Sequence, residues 1–406
     1  MFRPISILII ACLYIAGYME FENPDSNGLW YWITIFLVVV PIVVFLLSPF
    51  LRNKKYGVEV LTYSILVSWC IALFEFAWAE HVRVIVGNQI LIDELLIIFP
   101  VIISLAILWG LTSPIKRRLA WVSYRIRLDV LLLLVPILGL WGVYETTLLF
   151  NDGDYVETGG FIATVILVVF TPLYIPFILS AREMKDESLL QQVQDIGVRA
   201  GISRSNILVW NTHGRLMNAF AIGIIFQRRT ILLTDKLIEN LTNNELLAVV
   251  GHEFAHHKYR HLTFLGLSLL CVLVWSESLF EFMGLAHRFW FMQVSQFIAM
   301  SFVFALISRK FERQADAYSV IDQSNAAGSQ IVTTQASSNM SSALRTLSVS
   351  HNISPDRYDP LHGSIQERQE YLEGLIGCPI DSIPLNRTVK RIKIGIVLLL
   401  VLGLVL

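Results

Sequence analysis

The sequence predicts a mainly α-helical, polytopic membrane protein that also carries a small α+β domain. Its composition is the first observation: of 406 residues, 55% are hydrophobic and 16% are charged, with a mean hydropathy of +0.62. That charged fraction is low for a soluble protein. The second observation is a series of long apolar runs. The third is a short β-rich stretch that leads into a capped helix with paired histidines.

Most of the apolar runs are long enough to cross a hydrocarbon core of roughly 30 Å. We predict spans near residues 4–19, 29–51, 58–79, 95–113, 130–150, 161–181, 262–283 and 288–307, and a terminal apolar run at 392–406. Residues 1–19 are either a signal peptide or a retained anchor, because Arg3 precedes an apolar core. No small-residue cleavage site follows them, so we favour the anchor.

Loop charges predict which side of the membrane each polar segment faces. Basic residues follow the second and fourth spans: Arg52, Lys54, Lys55, Lys116, Arg117, Arg118, Arg125 and Arg127. The alternate loops are acidic or neutral, so the positive-inside rule places the N-terminus in the cytoplasm. Six spans then bring residues 182–261 to the cytoplasm, and the hairpin of the seventh and eighth spans returns residues 308–390 to the same side.

The cysteines of the chain and the acidic residues of the membrane region give no strong sign of a functional site. The four cysteines, Cys12, Cys70, Cys271 and Cys378, form no C-x-x-C pair, so neither a disulfide framework nor a thiolate metal site is expected. Glu75 and Glu145 lie in or near spans. Intramembrane carboxylates are often functional, but we favour an interfacial position for both, beside Trp78 and Trp141.

The segment after the sixth span has mixed secondary structure. Residues 182–202 read as an amphipathic helix, 207–210 as a strand, and 219–226 with 230–234 as a hairpin. An open strand edge placed before a metal-binding helix can bind a peptide by strand addition. Asn218, at the mouth of the hairpin, either holds a substrate backbone or serves turn chemistry, and spacing alone does not separate the two.

Residues 242–261 contain the pattern His252-Glu253-Phe254-Ala255-His256, an H-E-x-x-H arrangement. Thr242 and Glu245 form a predicted capping box that begins a helix. On that helix both imidazoles share a face and can reach one metal ion, with Glu253 placed to take a proton from an activated water. A chance pattern is the alternative, but these side chains are costly in an apolar setting without partners.

A tetrahedral catalytic zinc needs a third protein ligand. Glu312 and Asp316 are four residues apart on a predicted helix after the membrane hairpin, which suits a ligand and a supporting carboxylate. Without the metal argument, the better interpretation of Glu312 and Asp316 is a solvent-exposed helix face on which Arg309 and Arg313 are their ionic partners. The need for a third ligand on the same side of the membrane favours the metal site. Residues 323–342 are polar and of low complexity, and we expect a mobile loop there, with partial helix as the alternative.

Four ordered motifs resemble the HtpX and CaaX prenyl protease family of integral-membrane zinc metalloproteases, which are gluzincins. They are Met217-Asn218-Ala219-Phe220-Ala221, the H-E-x-x-H helix, Ser308-Arg309 through Glu312 to Ala315-Asp316, and His362 followed by Arg368. The resemblance covers roughly residues 183–375. It implies a zincin-like α+β catalytic domain with a small β-sheet and two metal-binding helices. Gly363 departs from the pattern, because the family usually has Pro there.

The resemblance also implies a role for each motif residue. His252, His256 and Glu312 bind one Zn²⁺, and Glu253 is the general base. Asp316 and Arg368 support the ligands, and His362 stabilises the developing oxyanion. Asn218, with Ala219 and Phe220, engages the substrate backbone. The expected division is a membrane region (1–181), two catalytic segments (182–261 and 308–390) around a membrane hairpin (262–307), and a C-terminal apolar segment (391–406).

We therefore expect a zinc endopeptidase that acts on protein or peptide substrates in a lipid bilayer. The site should face the cytoplasm, and the membrane should be a bacterial inner membrane. No Gly-rich phosphate loop is present, so phosphate or nucleotide chemistry is not expected. We also expect no nucleic-acid partner. The alternatives are a site-two type protease, a transporter, and a non-catalytic scaffold with a structural metal. A site-two type protease would carry an L-D-G-like segment, and none is visible. A transporter would need paired polar groups deep in several spans, and these are scarce. A scaffold would have no need to keep Glu253.

Overall fold

The structure is a computed structural model that describes residues 29–51, 56–87, 89, 91–113, 118–151, 156–202, 204–224, 229–284, 289–381 and 383–405. The predicted span at 4–19 lies outside these residues, as do the loop cations of residues 52–55 and 114–117. The chain divides into two compact units, Met1–Val168 and Val169–Leu406.

The first unit is built from helices, and the longer ones coincide with the predicted apolar runs. They are α1 (Leu29–Leu51), α2 (Gly57–Phe74), α3 (Trp78–Val86), α4 (Ile92–Thr112), α5 (Arg118–Ile126), a π-helical turn (Arg127–Leu131), α6 (Leu132–Asn151) and the first part of α7 (Val156–Leu179). Leu66, Leu105 and Leu108 are fully buried in its core. Large apolar side chains such as Phe45 and Phe99 are exposed instead, as expected where helices meet lipid.

Five helices in the described part of the chain are long and apolar enough to cross a membrane. They are Gly57–Phe74, Ile92–Thr112, Thr158–Leu179, His261–Phe282 and Phe291–Ala326. The bent pair Arg118–Leu131 and Leu134–Thr147, whose halves meet at 44°, adds a sixth if it forms one span. Helices of this length and composition are those expected of an integral membrane protein.

The second unit contains a four-stranded mixed sheet. Its strands are β1 (Arg182–Glu183), β2 (Ser205–Trp210), β3 (Ala219–Ile222) and β4 (Arg229–Thr234), in the order β1-β2-β4-β3. β2 and β4 are parallel, whereas β3 pairs antiparallel with β4. The predicted strand and the antiparallel pairing of the hairpin are confirmed. Strand β3 ends at Ile222 rather than at residue 226, and residues 225–228 of the hairpin lie outside the described residues. β3 occupies an edge of this sheet.

The helix predicted over residues 182–202 begins later than expected. Helix α8 is Glu187–Arg199, and the side chain of Asp186 caps it by accepting a hydrogen bond from the backbone of its first turn. The prediction was wrong for Arg182 and Glu183. They form β1 because their backbone pairs with β2, and the cap at Asp186 fixes a later helix start.

The remaining helices surround the sheet or follow it. They are α9 (Asp235–Asn240), α10 (Asn243–Lys258), α11 (His261–Phe282), α12 (Phe289–Ala326), α13 (Thr334–Ser350), α14 (Ile365–Gly374) and α15 (Pro384–Val405). Helix α10 lies at the centre and packs against α12, α13 and β3. Its residues Phe254 and Ala255 are fully buried in the core of this unit, which fixes the rotation of the helix about its axis.

Helices α11 and α12 cover the predicted membrane hairpin, and both include candidate spans. Helix α12 is 38 residues long and continues without a break from the apolar hairpin into the polar segment that follows. The predicted terminal apolar run is helical and belongs to α15, which packs along α11. Trp275 Nε1 of α11 donates to the carbonyl of Leu399 at 3.0 Å.

The prediction of a mobile loop over residues 323–342 is wrong, and the alternative of partial helix is confirmed. Helix α12 extends to Ala326, and α13 begins at Thr334 with the side chain of Thr333 as its cap. The polar composition conceals a narrow apolar stripe at helical spacing. Ala336, Met340 and Leu344 lie along this stripe and are buried in a core shared with α12 and α14. The predicted fold class is otherwise confirmed: mainly helical and polytopic, with a small mixed sheet.

Candidate metal centre

Helix α10 begins at the predicted capping box. The Thr242 hydroxyl accepts from the Glu245 N–H, and Glu245 Oε2 accepts from the Thr242 N–H at 2.9 Å. Because the cap fixes where the helical repeat starts, His252 and His256 project from one face, one turn apart. Helix α12 packs against α10 and brings Glu312 to the same face.

Three of the predicted residues converge on one point. His252 Nε2 and His256 Nε2 are 3.2 Å apart. Glu312 Oε2 is 3.4 Å from the first of these nitrogens, and Oε1 is 3.4 Å from the second. The three ligand atoms all lie within 4.8 Å of one another. Two imidazoles and a carboxylate are a donor set that catalytic zinc sites use, with a fourth position left for water. The residues present therefore fit a zinc ion.

Asp316 and Arg368 support His252 from behind. Asp316 Oδ1 is 2.9 Å from His252 Nδ1. Arg368 donates from Nε and Nη2 to the two oxygens of Asp316 at 2.8 and 2.6 Å, and its Nη2 is 3.8 Å from Glu312 Oε2. Asp316 is fully buried, so the paired arginine offsets the cost of its charge. The structure thus brings both predicted supporting residues to the cluster.

Glu253 is half-buried beside the cluster, and the backbone of Ala221 in β3 is close enough to affect its ionisation. Burial raises the pKa of Glu253 to about 7, against the lowering influence of His252. A carboxyl group whose pKa lies near the working pH can both accept and return a proton.

The two histidines differ in protonation before any metal binds. Burial lowers the pKa of His256 to about 4, so this ring is neutral. Burial also lowers the pKa of His252, but the carboxylates of Asp316 and Glu312 outweigh it and raise that pKa to about 10. His252 is therefore an imidazolium near neutral pH, and a metal has to displace its proton.

Sequence reasoning missed the partner of His256. His261, the first residue of α11, is fully buried, and its Nδ1 is 3.1 Å from His256 Nδ1. Its Nε2 is 2.9 Å from Gln314 Oε1 on α12. The sequence offers one signal, a further histidine five residues after His256. That spacing does not place it on the metal-binding face, because Arg260 has a φ of +53° and breaks the helix between them.

The proposed substrate-binding residues lie at the edge strand. Ala219 and Phe220 begin β3, and Asn218 precedes them. The Asn218 side-chain carbonyl accepts from the Ala219 N–H at 2.9 Å, and its backbone N–H donates to Thr234 Oγ1 at 2.9 Å. Local turn chemistry therefore uses the Oδ1 of Asn218, and the amide nitrogen is the side-chain group left to donate to a ligand.

His362 is not brought into the cluster. It lies on an exposed loop, where its Nδ1 is 3.2 Å from Asp359 Oδ1. The following residue, Gly363, has a φ of +78°. Two residues further on, the loop enters α14, from which Arg368 reaches Asp316. The role of His362 stays a prediction.

A second group of carboxylates lies in the first unit. Asp93, Glu94 and Glu145 bring oxygens within 4.8 Å of one another. Arg83 Nε is 3.2 Å from Asp93 Oδ2, Trp141 Nε1 donates to Glu94 Oε1 at 3.0 Å, and a backbone N–H donates to Glu145 Oε2 at 3.2 Å. Each carboxylate therefore has a protein partner, and the interfacial position expected for Glu145 stays a prediction.

Comparisons with known proteins agree with the motifs. Residues 183–363 match Peptidase family M48. The chain is 26% identical over 200 residues to "CAAX prenyl protease 1" of Saccharomyces cerevisiae, which is 40% of this chain and 44% of that protein. It is 30% identical over 111 residues to "Protease HtpX homolog" of Archaeoglobus fulgidus, covering 27% and 32% of the two chains. The resemblance to the HtpX and CaaX prenyl protease family is confirmed.

The crystal structure of S. mikatae Ste24p is also similar. It covers 91% of this chain and 95% of that one, at 17% identity and a TM-score of 0.49. In sequence, this chain spans less than half of the length of the two curated relatives named above. The matched segment includes the cluster residues but ends before Arg368.

Proposed function

We propose that this chain is a membrane-embedded, zinc-dependent endopeptidase. The observation that carries the proposal is the convergence of His252, His256 and Glu312 on one point, with Glu253 beside them. The names of the relatives, which are those of proteases, support the same function over the shared segment.

In this mechanism His252, His256 and Glu312 hold zinc, which when bound polarises the scissile carbonyl and lowers the pKa of water. Glu253 takes a proton from the attacking water and then returns one to the leaving amine. In the metal-free site burial raises the pKa of Glu253 to about 7, which favours a group that exchanges protons. Asp316 holds the ring of His252 in place, and Arg368 holds Asp316.

The substrate backbone is proposed to add to the edge strand β3, which lies beside the helix that carries Glu253. Ala219 and Phe220 offer backbone groups there, and Asn218 offers its amide. His362 is proposed to stabilise the negative charge on the carbonyl oxygen. This role rests on the family resemblance, because His362 lies on the exposed loop that leads into α14.

The substrates are proposed to be proteins or peptides at a lipid bilayer, with no nucleic acid involved. They are either damaged membrane proteins removed by quality control or a specific protein that is processed, prenylated or not. The basic loops support a site that faces the cytoplasm, and a bacterial inner membrane is the proposed location.

The test compares the wild type with Glu253→Ala in detergent, using an unfolded protein as substrate, with and without a zinc chelator. Glu187→Gln, on the exposed start of α8, is the control for loss of a carboxylate. We expect Glu253→Ala to lower the rate by roughly 10²- to 10⁴-fold, the chelator to abolish cleavage, and the control to cleave at the wild-type rate.

Zinc content is measured on the same samples. Cleavage that survives Glu253→Ala would show that the base is wrong. A wild type that neither cleaves nor binds zinc would favour a scaffold or a transporter instead.

A further inference from the structure

The cluster treats its two histidines differently. The ring of His252 rests on a carboxylate, Asp316 Oδ1, at 2.9 Å from Nδ1. The ring of His256 rests on a second imidazole, since its Nδ1 is 3.1 Å from His261 Nδ1. Both Nε2 atoms point at the shared centre. The proposed zinc ligands therefore have outer partners of different charge, and only one of these partners was expected from the motif.

We propose that His261 is the positioning residue for the zinc ligand His256, through a one-way chain of hydrogen bonds that ends on α15. This inference rests on the proposed function, because it assumes that His256 Nε2 is a zinc ligand. A ring that binds metal through Nε2 keeps its proton on Nδ1. That N–H must find an acceptor, and His261 Nδ1 is the atom placed to accept it.

The remaining hydrogen bonds of the series fix the tautomer of His261. If Nδ1 accepts, the neutral ring carries its proton on Nε2, which lies 2.9 Å from Gln314 Oε1. Gln314 then directs its amide nitrogen to Asn386 Oδ1, at 2.7 Å. Every donor in the series meets an acceptor, and the direction is set at both ends. Hydrogen bonds aligned in this way strengthen one another.

The surroundings of His261 hold its ring in one plane. Phe311 stacks on one side with the ring centroids 4.4 Å apart and an angle of 11° between the planes. Tyr259 is also stacked with the ring, at 5.8 Å and 24°. His261 itself is fully buried and Gln314 is nearly so. A ring packed in this way has little freedom to turn its acceptor away from His256.

Beyond His256, the series of hydrogen bonds connects residues on three helices. His261 begins α11, Gln314 lies on α12 two residues after the ligand Glu312, and Asn386 lies near the start of α15. The same contacts that place the imidazole acceptor thus tie the metal centre to the membrane hairpin and to the terminal helix. A carboxylate in place of His261 would add a third negative charge beside the cluster, whereas a neutral imidazole positions His256 without adding charge.

The test measures metal affinity in the full-length protein in detergent. His261→Phe keeps a stacked ring and removes the acceptor, whereas His261→Asn keeps an acceptor near the position of Nδ1. We expect His261→Phe to weaken zinc binding roughly 10- to 100-fold and His261→Asn to stay within about threefold of the wild type. Zinc affinity is read by competition with a chromophoric chelator, and Co²⁺ absorption reports the ligand geometry.

His257→Phe is the matched control. His257 is buried on the same helix end, but its Nε2 faces the carbonyl of Thr230 at 3.3 Å rather than a ligand. A second pair covers the case in which His261→Phe fails to fold. Gln314→Leu should weaken zinc binding, because it removes the acceptor for His261 Nε2–H. Gln314→Glu should weaken it less, because a carboxylate oxygen still accepts from His261 Nε2–H although the donor to Asn386 Oδ1 is lost.

The outcomes separate the two proposals. If the wild type binds zinc and His261→Phe binds it with the same affinity, the positioning role is overturned and the proposed function stays intact. The same holds if His261→Phe and His261→Asn lose equal affinity. Equal affinity in Gln314→Leu and Gln314→Glu would overturn the fixed tautomer. A wild type that binds no zinc would overturn the proposed function and this inference with it.

Discussion

If His252 is a zinc ligand, as proposed, zinc has to displace a proton from it. His252 Nε2 faces Glu312 Oε2 at 3.4 Å, and Nδ1 faces Asp316 Oδ1 at 2.9 Å. Burial lowers the pKa of His252, but the two carboxylates outweigh burial and raise it to about 10. Below that pH zinc and a proton compete for Nε2, and raising the pH removes the competitor.

We therefore expect zinc binding near pH 7 to release about one proton, and the affinity to rise roughly tenfold per pH unit up to about pH 9. Calorimetry in buffers of different ionisation enthalpy counts the protons released. Asp316→Asn removes one of the two carboxylates, lowers the pKa of His252, and should reduce the release. A wild-type count near zero at pH 7 would contradict a charged His252.

Gly363 shows how one residue separates this chain from the family pattern. Its φ of +78° lies in the left-handed region, whereas a proline is held near −65°. Its N–H donates to the carbonyl of Asp359 at 2.8 Å, a bond that proline cannot make. The loop around His362 is therefore incompatible with the proline that the family usually has, which is why the family role of His362 needs its own test.

At the scale of elements, predictions succeeded where the signal was local. The capping box and the two histidines four residues apart depend only on helix geometry, and the structure reproduces both on α10. The bond between His256 and His261 depends on a helix break at Arg260 and on the packing of Phe311 from a distant helix. Neither can be derived from spacing, so His261 was missed.

Helix α13 was missed for a different reason. Its sequence is rich in Ser and also contains Thr and Asn, which favour turns and caps over helix interiors. Four small or medium apolar residues, Ala336, Met340, Ala343 and Leu344, are nevertheless spaced so that one face is buried. Tertiary packing, rather than propensity, holds this helix.

This packing can be measured with one substitution. Met340 is 2% exposed, so Met340→Ala should lower the free energy of unfolding by about 2–4 kcal/mol through lost burial and a cavity. Ser338→Ala, on the exposed side of the same helix, is the control and should change it by less than about 0.5 kcal/mol. Denaturant unfolding in detergent gives both values. Equal effects would mean that residues 334–350 are not packed as a helix.

At the scale of the whole molecule, the metal centre draws residues from four separate helices of the second unit. The proposed ligands come from α10 and α12, and the residues that support them come from α11, α12 and α14. The sequence places His252 and Arg368 more than a hundred residues apart, with the membrane hairpin between them. The requirement for a third ligand joined Glu312 to the two histidines in advance, and only the family resemblance joined Arg368. The path by which Arg368 reaches Asp316 depends on α13 and α14 packing together, and sequence gives no measure of that.

The hairpin predicts that the metal centre and Met283 lie on opposite sides of the membrane. Helix α11 has 22 residues, about 33 Å at 1.5 Å per residue, which matches a hydrocarbon core of roughly 30 Å. His261 at its start contacts the cluster, so Met283 at its other end must emerge on the opposite side.

We expect an impermeant maleimide to label Met283→Cys from outside intact bacterial cells, in a chain without other cysteines. A chain that keeps only the native Cys378 should be labelled only after the membrane is opened, because the segment that follows α12 is predicted to face the cytoplasm. Labelling of both from outside would contradict the hairpin, and the reverse pattern would place the metal centre outside the cytoplasm.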